Sequence, residues 1–169
     1  MLIIAASLLL IAALLALSII DVRHLRLPDM LTLPLTGAGL IVTALLGWPF
    51  TDHLIGAVAG FTFFAGLTYT YRLTTGRTVL GLGDAKLLAA GGAWCGWFML
   101  PLIVALASLS GLAFAAASTV LTRRPFSRRT LIPFGPFLAV GIFLAWLVLI
   151  GVEGDVAGFR RLLLYRDLQ

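Results

Sequence analysis

Charged side chains are scarce in this chain. Asp, Glu, Lys and Arg make up 11% of its 169 residues, whereas they make up about 25% of an ordinary soluble domain. Hydrophobic residues reach 61%, and the mean hydropathy is +1.09. This composition excludes a soluble globular protein and predicts an integral membrane protein. A chain of this length has room for one compact bundle and for no separate soluble domain.

Cysteine and histidine are nearly absent as well. The single cysteine, Cys95, excludes an internal disulfide and a cysteine-based zinc cluster. The two histidines, His24 and His53, precede and follow the second apolar segment, so we expect them on opposite sides of a membrane. The sequence therefore predicts no metal site and no cofactor.

Long apolar segments dominate the rest of the chain. Residues 1–20 carry no charged side chain, and about 20 apolar residues cross a bilayer as a helix. We predict an all-α fold, a polytopic membrane bundle of about six transmembrane helices over residues 1–151. Residues 152–169 are expected to form a short tail, polar at first and then an amphipathic helix over residues 159–168. The six predicted spans are 1–20, 31–48, 54–71, 85–99, 101–122 and 131–150.

The basic residues indicate the orientation. Nine of the twelve Lys and Arg side chains lie in loops at residues 21–30, 72–86 and 122–130, and the other three lie in the tail. Cytoplasmic loops carry an excess of Lys and Arg, so we predict that these loops are cytoplasmic and that the N-terminus is outside. Because the basic residues lie between apolar segments, we expect contact with the lipid bilayer and not with nucleic acid. The expected location is the inner (cytoplasmic) membrane.

Two aspartates fall at the same predicted interface. Asp21 ends the first span, and Asp84 begins the fourth. A carboxylate is costly where a chain enters hydrocarbon, so each is a functional hypothesis. Gly81 and Gly83 frame the second acid and permit close approaches that a Cβ would forbid. Two neighbouring carboxylates in a partly dehydrated site share a proton, so one can activate a water while the other polarises a peptide carbonyl.

Less specific interpretations compete with this one. Asp84 could simply cap the helix that follows it, and Asp29 is most simply the N-cap of the second helix. The same two acids could relay protons or bind a cation in a small transporter, or the protein could be a scaffold without catalytic activity. Two acids at one interface, rather than one near the midplane, argue against a translocation path.

Glycine pairs are expected to serve packing. Gly56 and Gly60 are four residues apart, as are Gly92 and Gly96. Small residues at this spacing allow the backbones of two membrane helices to approach closely. We also expect aromatic side chains near the span ends to form an interfacial belt. These are Trp48, Tyr71, Trp94 and Trp97; for Trp94 and Trp97 a deeper position in the bundle stays open.

Three separated motifs resemble the type IV prepilin peptidase family of membrane aspartyl proteases. The first is Ile20-Asp21 followed by Leu27-Pro28-Asp29 and Leu31-Thr32-Leu33-Pro34. The second is Gly81-Leu82-Gly83-Asp84-Ala85-Lys86-Leu87, which carries the Gly-x-Gly-Asp signature that the family shares with presenilin-like enzymes. The third is Ile132-Pro133-Phe134-Gly135-Pro136-Phe137. Together they follow the order of the family along nearly the whole chain.

The resemblance implies that Asp21 and Asp84 are the catalytic pair. It also implies a substrate, a pilin-like precursor with a short basic leader that is cut at the cytoplasmic face. Many bacterial members carry two Cys-x-x-Cys pairs in an N-terminal extension and also methylate the new N-terminus. This chain starts at the first span and has one cysteine, so we expect peptidase activity without methyl transfer. The residues expected to support the pair are Gly81, Gly83, Lys86, Pro28, Asp29, Pro133 and Gly135.

Overall fold

The computed structural model describes residues 1–75, 81–122 and 133–166, with the backbone alone at residues 75, 122 and 153–166. Within these residues the chain forms α-helices and one short 3-10 turn, Trp97–Met99, and no strand, which confirms the predicted all-α class. The six helices are α1 (Leu2–His24), α2 (Asp29–Leu45), α3 (Phe50–Thr75), α4 (Leu82–Cys95), α5 (Leu100–Thr122) and α6 (Gly135–Arg166).

Four of the helices are long and apolar enough to cross a membrane. They are α1, α3, α5 and α6. The other two are shorter, with 17 residues in α2 and 14 in α4. At about 1.5 Å per residue, α4 is roughly 21 Å long, less than the hydrocarbon thickness of about 30 Å. The described residues therefore form the six expected helices, of which α4 is too short to span the membrane by itself.

The last helix is longer than the sequence predicts. α6 continues without interruption from Gly135 to Arg166, so the expected break near residue 151 is wrong. Gly151 lies inside the helix, where a side chain would meet no neighbour, and residues 152–166 contain no proline. Polar residues alone do not end a helix while its backbone hydrogen bonds can continue. The division into a domain over 1–151 and a tail over 152–169 stays a prediction.

Helix α4 lies at the centre of the bundle and packs against α2, α3, α5 and α6. Every residue from Leu87 to Cys95 is buried. Most of them are alanine or glycine, which bring the neighbouring backbones close to the α4 axis. The residues at the start of α4, Asp84 among them, are thus held by a helix that is enclosed on several sides.

The contact between α3 and α4 is made through glycine. A Cβ built on Gly56 would lie 2.5 Å from the carbonyl oxygen of Gly92, and one built on Gly60 would lie 2.7 Å from that of Leu88. These three glycines confirm the predicted close packing. Gly96 has a different role, because its φ of 82° ends α4 in a conformation that favours glycine.

Trp94 does not belong to an interfacial belt. It is fully buried, and its indole N–H donates to the carbonyl oxygen of Leu35 on α2 at 2.8 Å. Its ring meets that of Trp146 edge-on, with centroids 5.3 Å apart. Trp94 thus has the deeper position that the sequence left open, because the enclosed position of α4 leaves it no lipid-facing side. Trp97, in the turn after α4, is half-exposed.

We predict that Gly56→Ala destabilises the bundle, whereas Gly66→Ala on the same helix does not. Both changes favour the helix intrinsically by about 0.5–1 kcal/mol, but only the first places a methyl group against the α4 backbone. Overpacking of this kind costs about 1–3 kcal/mol. Thermal unfolding of the purified variants in detergent measures the difference. Equal Tm values for both variants would contradict the glycine contact.

Candidate functional site

The first aspartate ends α1 and contacts the start of α6. α1 continues past the apolar run to His24, so Asp21 lies in its last turn. The side chain is only 5% exposed, and its Oδ2 accepts a hydrogen bond from the backbone N–H of Gly135 at 2.9 Å. N–H groups in the first turn of a helix have no partner within the helix and carry partial positive charge. The start of α6 therefore stabilises a carboxylate at this position.

Gly135 leaves no space for a side chain. A Cβ at this position would lie 2.7 Å from Oδ2 of Asp21 and 3.0 Å from its Cγ. The chain reaches Gly135 through Pro133 and Phe134, and the Phe134 ring packs against Phe64 of α3 with centroids 6.2 Å apart. The third motif thus begins α6 directly beside Asp21. Ile132, the first residue of that motif, lies outside the described residues.

The second aspartate lies in the first turn of α4. Asp84 is 9% exposed, and its Oδ2 accepts the backbone N–H of Gly81 at 3.2 Å. This is a local capping interaction at the helix start, as the simpler interpretation of Asp84 predicted. It occupies one oxygen of the carboxylate. A cap and a catalytic acid are therefore compatible roles for this residue.

The fold brings the two aspartates to the same end of the bundle. Asp21 and Asp84 are close enough to interact electrostatically, and each accepts a backbone N–H near the start of a helix. Within the described part of the chain, the Oδ1 atom of neither residue has a protein hydrogen-bond partner. The pair thus has two carboxylate oxygens that can hold a water or a substrate carbonyl.

The two glycines of the second motif, Gly81 and Gly83, differ in how closely other residues approach them. A Cβ on Gly83 would lie 2.9 Å from the Cβ of Leu27, so the expected close approach is present there. Gly81 has ordinary extended dihedrals, with φ −76° and ψ 148°. A Cβ on Gly81 would make only an ordinary contact, 3.6 Å from Oδ2 of Asp84. The expectation of a close approach or unusual backbone angle is therefore wrong for Gly81.

Leu27, which the first motif contains, belongs to the site although the sequence predicted no role for it. It is buried in the loop between α1 and α2 and packs on Gly83, immediately before Asp84. The loop thereby fixes the start of α4 relative to the end of α1. An apolar residue between charged loop residues, directly before Pro28-Asp29, is the signal that could have identified it.

Asp29 forms an ion pair instead of a cap. Pro28 is the N-cap of α2, and no side chain provides a capping hydrogen bond there, so the predicted capping role of Asp29 is wrong. Oδ1 of Asp29 accepts a hydrogen bond from Nζ of Lys86 on α4. The lysine is drawn to this carboxylate rather than extending freely to the membrane surface. The pair joins α2 to α4 two residues after Asp84.

Metal ligands do not cluster in the described residues. No group of three or more His, Cys, Asp or Glu side chains converges there as metal ligands would. His53 is buried at the start of α3, where its Nδ1 lies 3.1 Å from the carbonyl oxygen of Ala93. Ala93 is near the end of α4 opposite to Asp84, so His53 is remote from the two aspartates. The predicted lack of a metal or other cofactor stays a prediction.

These features define a class, a helical membrane protein with two buried and interacting aspartates at one end of the bundle. The chain belongs to the type IV leader peptidase family, whose model matches residues 8–116. The matched region contains Asp21 and Asp84 together with the Asp29–Lys86 pair. It ends before the third motif, so Gly135 lies outside it.

Curated relatives extend beyond this chain. A prepilin leader peptidase/N-methyltransferase of Aeromonas salmonicida (strain A449) is 44% identical over 143 residues, which cover 84% of this chain and 48% of the relative. The protein of the same name from Escherichia coli (strain K12) is 45% identical over 139 residues, 79% of this chain and 60% of the relative. A third, from Pseudomonas aeruginosa, is 44% identical over 144 residues, 84% of this chain and 49% of the relative. The chain thus spans about half the length of two of these relatives. No solved structure matches it.

We predict that Gly135→Ala lowers the peptidase activity expected of a family member while the bundle stays folded. The added methyl group displaces the Asp21 carboxylate, which the sequence predicts to be catalytic, and a displacement of about 1 Å can cost on the order of 100-fold in rate. Gly151→Ala is the matched control, because it adds the same group to α6 in open space. Rates are compared at equal amounts of folded protein. Full activity of Gly135→Ala would show that the position of Asp21 does not depend on this glycine.

Proposed function

We propose that this protein is an aspartyl endopeptidase that removes the short basic leader from type IV prepilins or pilin-like precursors, including pseudopilins and preflagellins. The observation that carries the proposal is the buried pair of Asp21 and Asp84 inside the region that matches the leader peptidase family. The names of the relatives, prepilin leader peptidase/N-methyltransferase, support the same substrate class. The residues of the pair are the proposed catalytic residues.

The proposed mechanism uses the two oxygens that lack a protein partner. One carboxylate is ionised and takes a proton from a water held between Asp21 and Asp84. The other carries the shared proton and donates a hydrogen bond to the oxygen of the scissile carbonyl. The water oxygen attacks the carbonyl carbon, and a proton passes to the leaving amine as the C–N bond breaks. No covalent intermediate with the enzyme forms.

The backbone N–H groups have a defined part in this mechanism. Gly135 donates to Asp21 and Gly81 donates to Asp84, in both cases through Oδ2. Each bond fixes the orientation of its carboxylate and leaves Oδ1 for the reaction. Both side chains are therefore positioned before substrate arrives, which avoids part of the ordering cost of reaching the transition state.

In this proposal the protein lies in the inner membrane, and the site faces the cytoplasm. The three basic loops support this orientation. Asp21 lies one turn from the end of α1 and Asp84 in the first turn of α4, so both acids lie at one end of their helices. A precursor with a leader on the cytoplasmic side of an apolar helix would present its cleavage site at that level.

A transporter and a scaffold are the alternatives. A proton relay would use the same two acids, but their place at one end of the bundle gives no continuous path through it. A scaffold would need them only as acceptors for Gly81 and Gly135, a role that Asn can also fill. The proposed function predicts instead that ionisation of the pair is essential.

We predict that Asp21→Asn and Asp84→Asn each lower precursor cleavage by about 10²–10⁴-fold, the usual contribution of a general acid or base. Asn keeps the shape and still accepts a backbone N–H, so the fold should persist. The measurement is the appearance of the shortened product when purified protein in liposomes meets a pilin-type precursor. Asp52→Asn, at the opposite end of the bundle in the first turn of α3, is the control and should cleave normally. Normal cleavage by either site variant would refute the dyad.

We also predict that the chain cleaves without methylating the new N-terminus. The sequence has a single cysteine, Cys95, and therefore no Cys-x-x-Cys pair. The test supplies a radiolabelled methyl donor together with the precursor. Label on the cleaved product would show that the chain also transfers methyl groups.

A further inference from the structure

The exposed carboxylate beside the aspartate pair belongs to Asp29. Its side chain is 58% exposed, whereas that of its partner Lys86 is 26% exposed. The ion pair uses Oδ1 of Asp29, and within the described residues Oδ2 has no partner. A carboxylate can accept hydrogen bonds at both oxygens. The outward side of Asp29 is therefore available to a second cation.

Asp29 is also the only exposed acid at this end of the bundle among the side chains that the structure describes. Asp21 and Asp84 are buried, and Asp52 lies at the start of α3, at the other end. The exposed charged side chains that precede it, Arg23 in the last turn of α1 and Arg26 in the loop, are basic. A cationic group that approaches the aspartate pair from outside thus meets one carboxylate, that of Asp29.

The ion pair places this carboxylate next to the proposed chemistry. Lys86 is two residues after Asp84 in the first turns of α4, and Asp29 is the first residue of α2. Leu27, two residues before Asp29, packs on Gly83. The starts of α2 and α4 are therefore fixed relative to each other on both sides of Asp84, which holds Asp29 at a constant position beside the site.

We propose that Asp29 binds a Lys or Arg side chain of the substrate leader, in competition with Lys86. This inference rests on the proposed function and adds the residue that selects a basic leader. In the free enzyme Lys86 neutralises Asp29 and keeps its side chain in place. When the precursor binds, its Lys or Arg side chain either replaces Lys86 on the Asp29 carboxylate or shares the carboxylate with it. An exposed ion pair contributes little to stability, so the exchange costs little.

The test measures cleavage of two synthetic precursors by the full chain in liposomes. Both have a short leader followed by glycine and an apolar helix. One leader contains two lysines, and the other has glutamine in their place. We expect Asp29→Asn to raise KM for the lysine leader about tenfold, with kcat nearly unchanged, because a hydrogen bond between charged groups is lost. For the glutamine leader the same variant should raise KM much less.

Lys86→Gln provides the second measurement. It frees Asp29 from its competitor, so KM for the lysine leader should fall, the opposite of the effect of Asp29→Asn. If the ion pair only holds α2 against α4, both variants should lower the rate of cleavage, and by the same factor for both leaders. That result would overturn the proposal.

The two proposals fail in different ways. Suppose that the wild type cleaves the lysine leader, but that each variant changes KM equally for both leaders. This result would refute the role of Asp29 and leave the peptidase function intact. No cleavage of either precursor by the wild type would refute the proposed function, and this inference with it.

Discussion

The hydrogen bond from the Gly135 N–H to the Asp21 carboxylate connects the first and the last helix of the described bundle. It joins residues 114 positions apart and brings the last turn of α1 to the first turn of α6. A buried carboxylate needs hydrogen-bond donors in place of water, and the start of a helix supplies an N–H group that needs an acceptor. Each partner thus satisfies a requirement of the other. The absence of a side chain at Gly135 is the condition that allows them to meet.

The position of Asp84 depends on a different constraint, the close contact of helix backbones. Gly56 and Gly60 bring α3 against α4, and Trp94 links α4 to α2 through the carbonyl oxygen of Leu35. In lipid, helices associate through such packing and hydrogen bonds, since burial of apolar surface gives little gain there. A helix of 14 residues, too short to span the membrane by itself, is held in this way.

Sequence reasoning identified the features that depend on local pattern. The six helices follow from hydropathy, and the packing role of Gly56 and Gly60 follows from glycine spacing. The cost of charge in a membrane singled out Asp21 and Asp84, which lie at one end of the bundle. The partner of Asp29 was missed, and the depth of Trp94 was left open. Both depend on which helices are neighbours, and a single sequence does not specify this. The uninterrupted α6 was missed for another reason, because polar composition was taken to mean the end of a helix.

The outer helix α5 is under a different constraint from the rest of the bundle. It packs mainly on α6, with Ile103 and Ala107 buried, while residues such as Leu109 and Leu112 face outward. A side chain that faces lipid is selected for hydropathy rather than for shape, since fluid acyl chains adapt to any apolar surface. The outward face of α5 is therefore free to change among apolar residues during evolution. The glycines between α3 and α4 have no such freedom.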